Sequence, residues 1–246
     1  MAHTRSLAFA ALLMAFAGCR TPSSGSSNTP ATAPEATVHN TPAPHTNPTP
    51  APAPAPREGG TRPAEPLPTG VAVATFAGGC FWCMEAAFEQ LRGVRDAVSG
   101  YTGGTEQGPT YEEVSNHQTS HAEAIRVLYD PSVITYDQLL DAYWRHVDPT
   151  TPDQAFVDVG HQYRSTIFVH DAQQRAAAER SKQAIVASGR FGARIVTTVE
   201  DAGVFWVAED YHQNFWRTSP ERYHSYHEHS GRREFIRAHW GPDAPY

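Results

Sequence analysis

Three cysteines in a chain of 246 residues are too few for a fold stapled by disulfides. Basic charge is also scarce. Lys and Arg number 19 against 26 Asp and Glu, and the net charge of −7 offers no basic face to nucleic-acid phosphates. No apolar run is long enough to span a bilayer; the run from Leu7 to Ala17 stops at eleven residues. The 13 His are scattered, and the densest group, His224, His227 and His229, has neither a Cys partner nor His-Glu-x-x-His spacing. It reads as a polar surface segment, and no metal is expected.

Aromatic residues are absent between residues 20 and 70, where 13 of the 20 Pro lie and Val38 and Leu67 are the only large aliphatics. Such a stretch cannot bury enough apolar surface to offset the entropy of ordering, so 19–70 is expected to be a disordered linker. Its alternating Ala-Pro run, 51–56, favours extended chain. All five Trp lie beyond residue 71, and one globular domain is expected over 71–246.

Ahead of the linker, Arg5 gives a positive start, the short apolar run follows, and Phe16-Ala17-Gly18-Cys19 closes it. This resembles the lipobox of bacterial lipoproteins, in which small residues precede a Cys that receives lipid. Phe16 departs from the aliphatic residue usual there. The resemblance implies a signal peptide over 1–18, a lipid on Cys19, and a domain tethered at the cell envelope, facing the periplasm or the outside. The alternative is an ordinary secretory signal with a chance Cys. With Cys19 assigned to lipid, Cys80 and Cys83 are the thiols of the fold. A bridge closing so short a loop adds little stability, so the pair points to redox work.

Val71 to Phe76 reads as a buried strand, broken by Gly78-Gly79. Phe81, Met84, Ala87, Phe88 and Leu91 recur at three and four and predict a helix with Cys80 at its start and Cys83 one turn on. Residues 94–110 are Gly-rich and read as loop with a short strand. Ala122 to Tyr129 predicts a strand, stopped by Asp130-Pro131. Thr135 and Gln138 form a capping box for a helix carrying Tyr136, Leu139, Leu140, Tyr143, Trp144 and Val147 on one face. A strand over 164–169, a helix from Asp171 to near Gly189, a strand over 194–199 and a short helix over 208–216 follow. The alternation gives an α/β fold, a two-layer sandwich of helices on a mixed sheet.

A thiol at a helix start faces unpaired N–H groups and the positive end of the dipole, which favours its thiolate. Cys80 holds that place, and Phe81 and Trp82 supply an apolar wall beside it. Strand alternation puts Glu123 on the face of Ile125 and Val127. There a desolvated carboxyl keeps its proton and can serve as a general acid, although a solvated Glu at a strand end fits the pattern as well. Tyr111, Tyr163 and Asp158 carry no distinguishing spacing of their own.

Seven motifs occur in the order and spacing of the A-type methionine sulfoxide reductases, and this region, about 71–220, resembles that family. They are Gly79-Cys-Phe-Trp82, Gly100-Tyr-Thr-Gly-Gly104, Thr110-Tyr-Glu-Glu-Val114, His121-Ala-Glu-Ala124, Tyr129-Asp-Pro131, Gln162-Tyr-Arg-Ser165 and Ala208-Glu-Asp-Tyr-His-Gln213. The resemblance implies reduction of the S epimer of methionine sulfoxide, free or in proteins. Cys80 would be the nucleophile and Glu123 the acid near the sulfoxide oxygen. Tyr111 and Tyr163 would donate to that oxygen, and Phe81, Trp82 and Asp158 would form the substrate pocket. Val159-Gly160-His161 departs from the His-Gly-Thr common between Asp158 and Gln162. Ser230 stands in a stretch where many relatives carry a resolving Cys, which leaves Cys83 to resolve a Cys80 sulfenic acid as a disulfide. No bound cofactor is expected; an external thioredoxin-like dithiol protein would restore the thiols, and the enzyme would act as a monomer. Two other readings fit parts of the chain. One is a dithiol-disulfide oxidoreductase using the Cys-x-x-Cys pair; the other is a non-catalytic surface lipoprotein on the same fold.

Overall fold

The computed structural model describes residues 62–242 and 244. The expected signal peptide, Cys19 and the linker as far as residue 61 lie outside the described residues. In chain order the strands are β1 (Arg62–Pro63), β2 (Ala72–Ala77), β3 (Val94–Thr102), β4 (Ala122–Tyr129), β5 (Gln154–Ala155), β6 (Asp158–Val159), β7 (Thr166–Val169), β8 (Thr198–Asp201) and β9 (Trp206–Val207). The helices are α1 (Phe81–Glu89), α2 (Tyr111–Ser115), α3 (Tyr136–His146), α4 (Ala172–Ser188), α5 (Phe215–Thr218), α6 (Pro220–His229) and α7 (Arg232–Trp240).

Seven strands form one mixed sheet in the order β1-β9-β3-β4-β2-β7-β8, parallel only between β7 and β8, while β5 and β6 make a separate hairpin. The expected α/β sandwich is present. Its main core packs Phe76, Ile125 and Val127 of the sheet with Phe88 of α1 and Leu139, Tyr143 and Trp144 of α3. Burying each such side chain contributes about 1.5–3 kcal/mol. Phe76 meets Phe88 and Tyr143 with ring centroids 5.2 Å apart in both cases. The Tyr143 hydroxyl also donates to the Ala77 carbonyl at 3.0 Å, fixing the strand end from which the active-site turn departs.

Four expectations are corrected. Residues 94–102 form a nine-residue strand paired on both edges, with β4 and β9, where loop and a short strand were expected. The glycine there is a packing requirement: a Cβ on Gly100 would stand 2.3 Å from the Trp206 carbonyl oxygen. The strand expected over 194–199 lies over 198–201, and the helix expected over 208–216 is a 3-10 turn, Asp210–His212, followed by α5. The folded region also begins before residue 71, since Arg62 and Pro63 pair with Val207 and Trp206. Pro63 is accommodated because β1 is the sheet edge.

Candidate active site

After β2 the chain turns through Gly78 and Gly79 into α1. Gly79 has φ +88°, and a Cβ there would stand 2.6 Å from the Ala155 Cβ, so both backbone and space require glycine. Cys80 caps α1, and its carbonyl accepts from the N–H groups of Cys83 at 3.2 Å and Met84 at 3.3 Å. Both thiols are free and buried, and they hydrogen-bond to one another. Cys83 packs with Phe215 of α5 and Tyr223 of α6.

Glu123 of β4 is 2% exposed, and the Phe81 N–H donates to its Oε2 at 3.1 Å. Burial pushes its carboxyl up to about 8, against the pull of that N–H, so the group is mostly protonated at neutral pH. Asp158 lies in the β5–β6 hairpin; burial raises it, and the donated bond from the Tyr226 hydroxyl of α6 works against the rise. Tyr111 opens α2 behind the Thr110–Glu113 capping box, and its own N–H donates to Glu209 Oε1 at 2.8 Å. Burial and then the Glu123 charge push the Tyr111 hydroxyl up to about 12. Tyr163 ends the 3-10 turn His161–Tyr163; burial raises it first, then Glu123, Asp158, Tyr111 and Cys80. These mutual influences bring Cys80, Glu123, Tyr111, Tyr163 and Asp158, read separately from the sequence, into one site.

One expectation about Cys80 fails. Its thiol is raised well above the ordinary range, chiefly by burial, then by the Cys83 hydrogen bond and by the Glu123 and Asp158 charges. The helix start offers little to offset this. The first N–H of α1, which would favour a Cys80 thiolate, is committed to Glu123.

Phe81 and Trp82 both belong to the site. The Phe81 ring is buried, 4.9 Å from His212 and 5.8 Å from Tyr101. Trp82 stacks on Phe215 at 3.9 Å, lies perpendicular to the Tyr226 ring, and donates from Nε1 to His212 Nδ1 at 3.1 Å. Burial lowers His212 to about 4, so it stays neutral and can accept that bond. Among the described residues, no group of three or more His, Cys, Asp and Glu is placed to hold a metal ion.

Sequence reasoning missed four residues around the site. Glu209 bridges the Tyr111 N–H and the Tyr101 hydroxyl, the latter at 3.0 Å. His212 sits between Phe81, Trp82 and Tyr111. Tyr226 holds Asp158, and the charge of the Arg232 guanidinium, on α7, acts on Cys83. The expected polar surface segment around His224 is in fact α6, whose Tyr223 and His227 are buried. One signal was available for Arg232: a basic residue opening a helix opposes the dipole, a local conflict that often marks a site.

Comparison with known proteins agrees with this geometry. The family model described as peptide methionine sulfoxide reductase matches residues 72–244. A relative from Ligilactobacillus salivarius, peptide methionine sulfoxide reductase MsrA, is 49% identical over 68% of this chain and 96% of its own length. The protein of the same name from Bacillus subtilis is 46% identical over 69% and 96%. Among solved structures, reduced Mxr1 from Saccharomyces cerevisiae superposes with a TM-score of 0.59 at 30% identity, covering 64% of this chain and 90% of that one. Methionine sulfoxide reductase A of Corynebacterium diphtheriae gives 0.55 at 32%, covering 62% and 77%. These matches do not favour the disulfide-oxidoreductase reading. The chain belongs to the peptide methionine sulfoxide reductase family and is an oxidoreductase.

Proposed function

We propose that this chain performs its family's reaction, reduction of methionine sulfoxide to methionine, at Cys80, with Glu123 as the acid and with the S epimer as substrate. The observation that carries this is a buried carboxyl, mostly protonated at neutral pH, set beside a buried thiol at a helix start. Cys80 sulfur attacks the electrophilic sulfoxide sulfur. The sulfoxide oxygen gains charge as its bond to sulfur weakens, so donors aimed at it stabilise the transition state. Glu123 supplies a proton, and the Tyr111 and Tyr163 hydroxyls, both held protonated, donate hydrogen bonds. While Glu123 is neutral it carries no charge to oppose ionisation of Cys80. Phe81 and Trp82 hold the substrate methyl, with Asp158 at the polar edge. The oxygen, protonated by Glu123, passes to the Cys80 sulfur as the new sulfur–sulfur bond breaks; methionine departs, Cys80 is left as sulfenic acid, and the proton lost from the thiol returns to Glu123.

Cys83 then attacks that sulfur. An S–S bond forms, the S–O bond breaks, and hydroxide leaves as water with the proton Cys83 has given up. A thioredoxin-like dithiol protein reduces the resulting Cys80–Cys83 disulfide, becoming oxidised in turn. Ser230 supports this route, since its hydroxyl cannot form a disulfide and donates instead to the His227 carbonyl at 2.8 Å. The enzyme acts as a monomer. Its domain is held at the cell envelope by lipid on Cys19 through the Pro-rich segment, a reading supported by the residues around Cys19. An epimer-resolved assay of methionine sulfoxide with wild type and Cys80→Ser tests the reaction. Wild type consumes the S epimer with a dithiol reductant and Cys80→Ser consumes neither; consumption of the R epimer, or an active Cys80→Ser, contradicts the reading.

A further inference from the structure

Arg232 is the first residue of α7, 1% exposed, with its guanidinium 4.2 Å from the centre of the Phe156 ring. Its Nη1 donates to the His146 carbonyl, while Nε and Nη2 have no hydrogen-bond partner. Among the described residues, no carboxylate lies within ion-pair distance of it. A Cβ added to Gly79, next to Cys80, would stand 3.3 Å from Nη2, which places the guanidinium beneath the active-site turn. Phe156, which supports it, has φ +58°, a backbone region costly for an aromatic residue. Asp158 feels this charge but is not paired with it, and a buried cation so weakly compensated is unfavourable unless the site gains an anion.

We propose that Arg232 is a positioning residue for disulfide closure: its buried charge is the standing partner of a Cys83 thiolate and prepares Cys83 to attack the Cys80 sulfenic acid. This rests on the reading of Cys83 as the resolving thiol.

The surroundings of Cys83 support the assignment. Cys83 is lowered first by the hydrogen bond from Cys80, opposed by burial, and lowered again by Arg232. The Cys80 bond belongs to the reduced enzyme. In the closing step the S–O bond of the sulfenic acid must lie opposite the incoming sulfur, so its hydroxyl faces away from Cys83. Arg232 is then the lowering influence that persists. The other groups facing Cys83 are Cys80, Asp158 and Glu123, and Tyr223 and Tyr226 of α6. Asp158 disfavours the thiolate, and His146 and His227, near Arg232, are pushed by burial to about 4 and are neutral at pH 7.

The test uses the reduced full chain and one equivalent of methionine sulfoxide, following methionine release and thiol loss together from pH 6 to 9. Arg232→Met is expected to slow closure about ten-fold relative to methionine release at pH 7, as for a thiolate pKa raised by about one unit. Dimedone-reactive sulfenic acid should accumulate, and higher pH should restore closure. Arg232→Lys should retain much of the rate. Wild-type closure in a folded Arg232→Met, with an unshifted pH profile, overturns the proposal. If Arg232→Met does not fold, alkylation of Cys83 in Cys80→Ser decides: a midpoint below that of an ordinary thiol supports it, and one at or above overturns it. A Cys83→Ser arm separates the two claims. If that variant accumulates sulfenic acid while Arg232→Met closes normally, only the role of Arg232 fails. If Cys83→Ser cycles with a dithiol protein like wild type, the resolving role of Cys83 fails and takes this proposal with it.

Discussion

The two thiols of the site look onto different walls. Cys80 faces the sheet side, where Glu123, Asp158 and the hydroxyls of Tyr111 and Tyr163 gather. Cys83, one helical turn on, faces the helical C-terminal side, with Tyr223 and the buried cation of Arg232. Burial raises both thiols, so burial alone cannot distinguish them; the hydrogen bond between them does so first, lowering Cys83 and raising Cys80, and the neighbouring charges follow. Glu123 holds a proton near Cys80, where the sulfoxide oxygen must receive one. The guanidinium favours negative charge on Cys83, where a second nucleophile is needed. One turn of helix separates an acid-rich half-site from a thiolate-favouring one.

The largest effect is expected from removing the transferable proton on the Cys80 side. Glu123→Gln keeps an acceptor for the Phe81 N–H but has no acidic proton, and should slow methionine release roughly ten-fold to ten-thousand-fold while folding normally. Wild-type release should also fall as pH rises past about 8, where Glu123 loses its proton, and the variant should lack that limb. Single-turnover rates equal to wild type would make Glu123 structural and remove the distinction between the walls.

A smaller effect sharpens the comparison by separating burial from catalysis. Glu85, on α1, is also buried and also raised by burial to about 8, but its carboxyl accepts from the Asn214 N–H at 2.7 Å and the Ser99 hydroxyl at 3.0 Å. Between the ordinary value of 4.5 and about 8, the folded chain keeps protons that the unfolded chain has released. Stability is therefore highest below the unfolded value and is lost as pH rises toward 8. Glu85→Gln should flatten the fall in Tm between pH 5 and 8, with each kcal/mol seen as about 2–4 °C in a domain of this size. Calorimetry at several pH values measures it, and an unchanged slope would mean that Glu85 is ionised in the folded chain at neutral pH.

The sheet side was the legible side. Ala122–Tyr129 was read as a strand with the bounds it has, and Thr135 with Gln138 caps α3 as read. Both signals are local: period-two patterning, and a side chain bonding backbone three residues away. The nine-residue β3 was hidden because its glycines lower strand propensity, while its pairing with β4 and β9 comes from distant sequence. The Cys83 side was harder still. α6 and α7 are rich in His, Arg and Tyr, and their buried Tyr223, His227, Arg232 and Ile236 show no simple apolar stripe. The chemistry of Cys80 and Cys83 could be read as residue type and spacing. The raised Cys80 thiol could not, because it depends on Glu123 arriving from β4 to take the Phe81 N–H.

The central claim, that the two thiols act in sequence on one oxygen, is tested most directly by counting. Fully reduced protein is given one equivalent of methionine sulfoxide without a reductant, and free thiols and linked peptides are then measured. The account predicts loss of both fold thiols and a mapped Cys80–Cys83 bridge, with one methionine released per chain. Release of one methionine with Cys83 still free and Cys80 held as a stable sulfenic acid would contradict it.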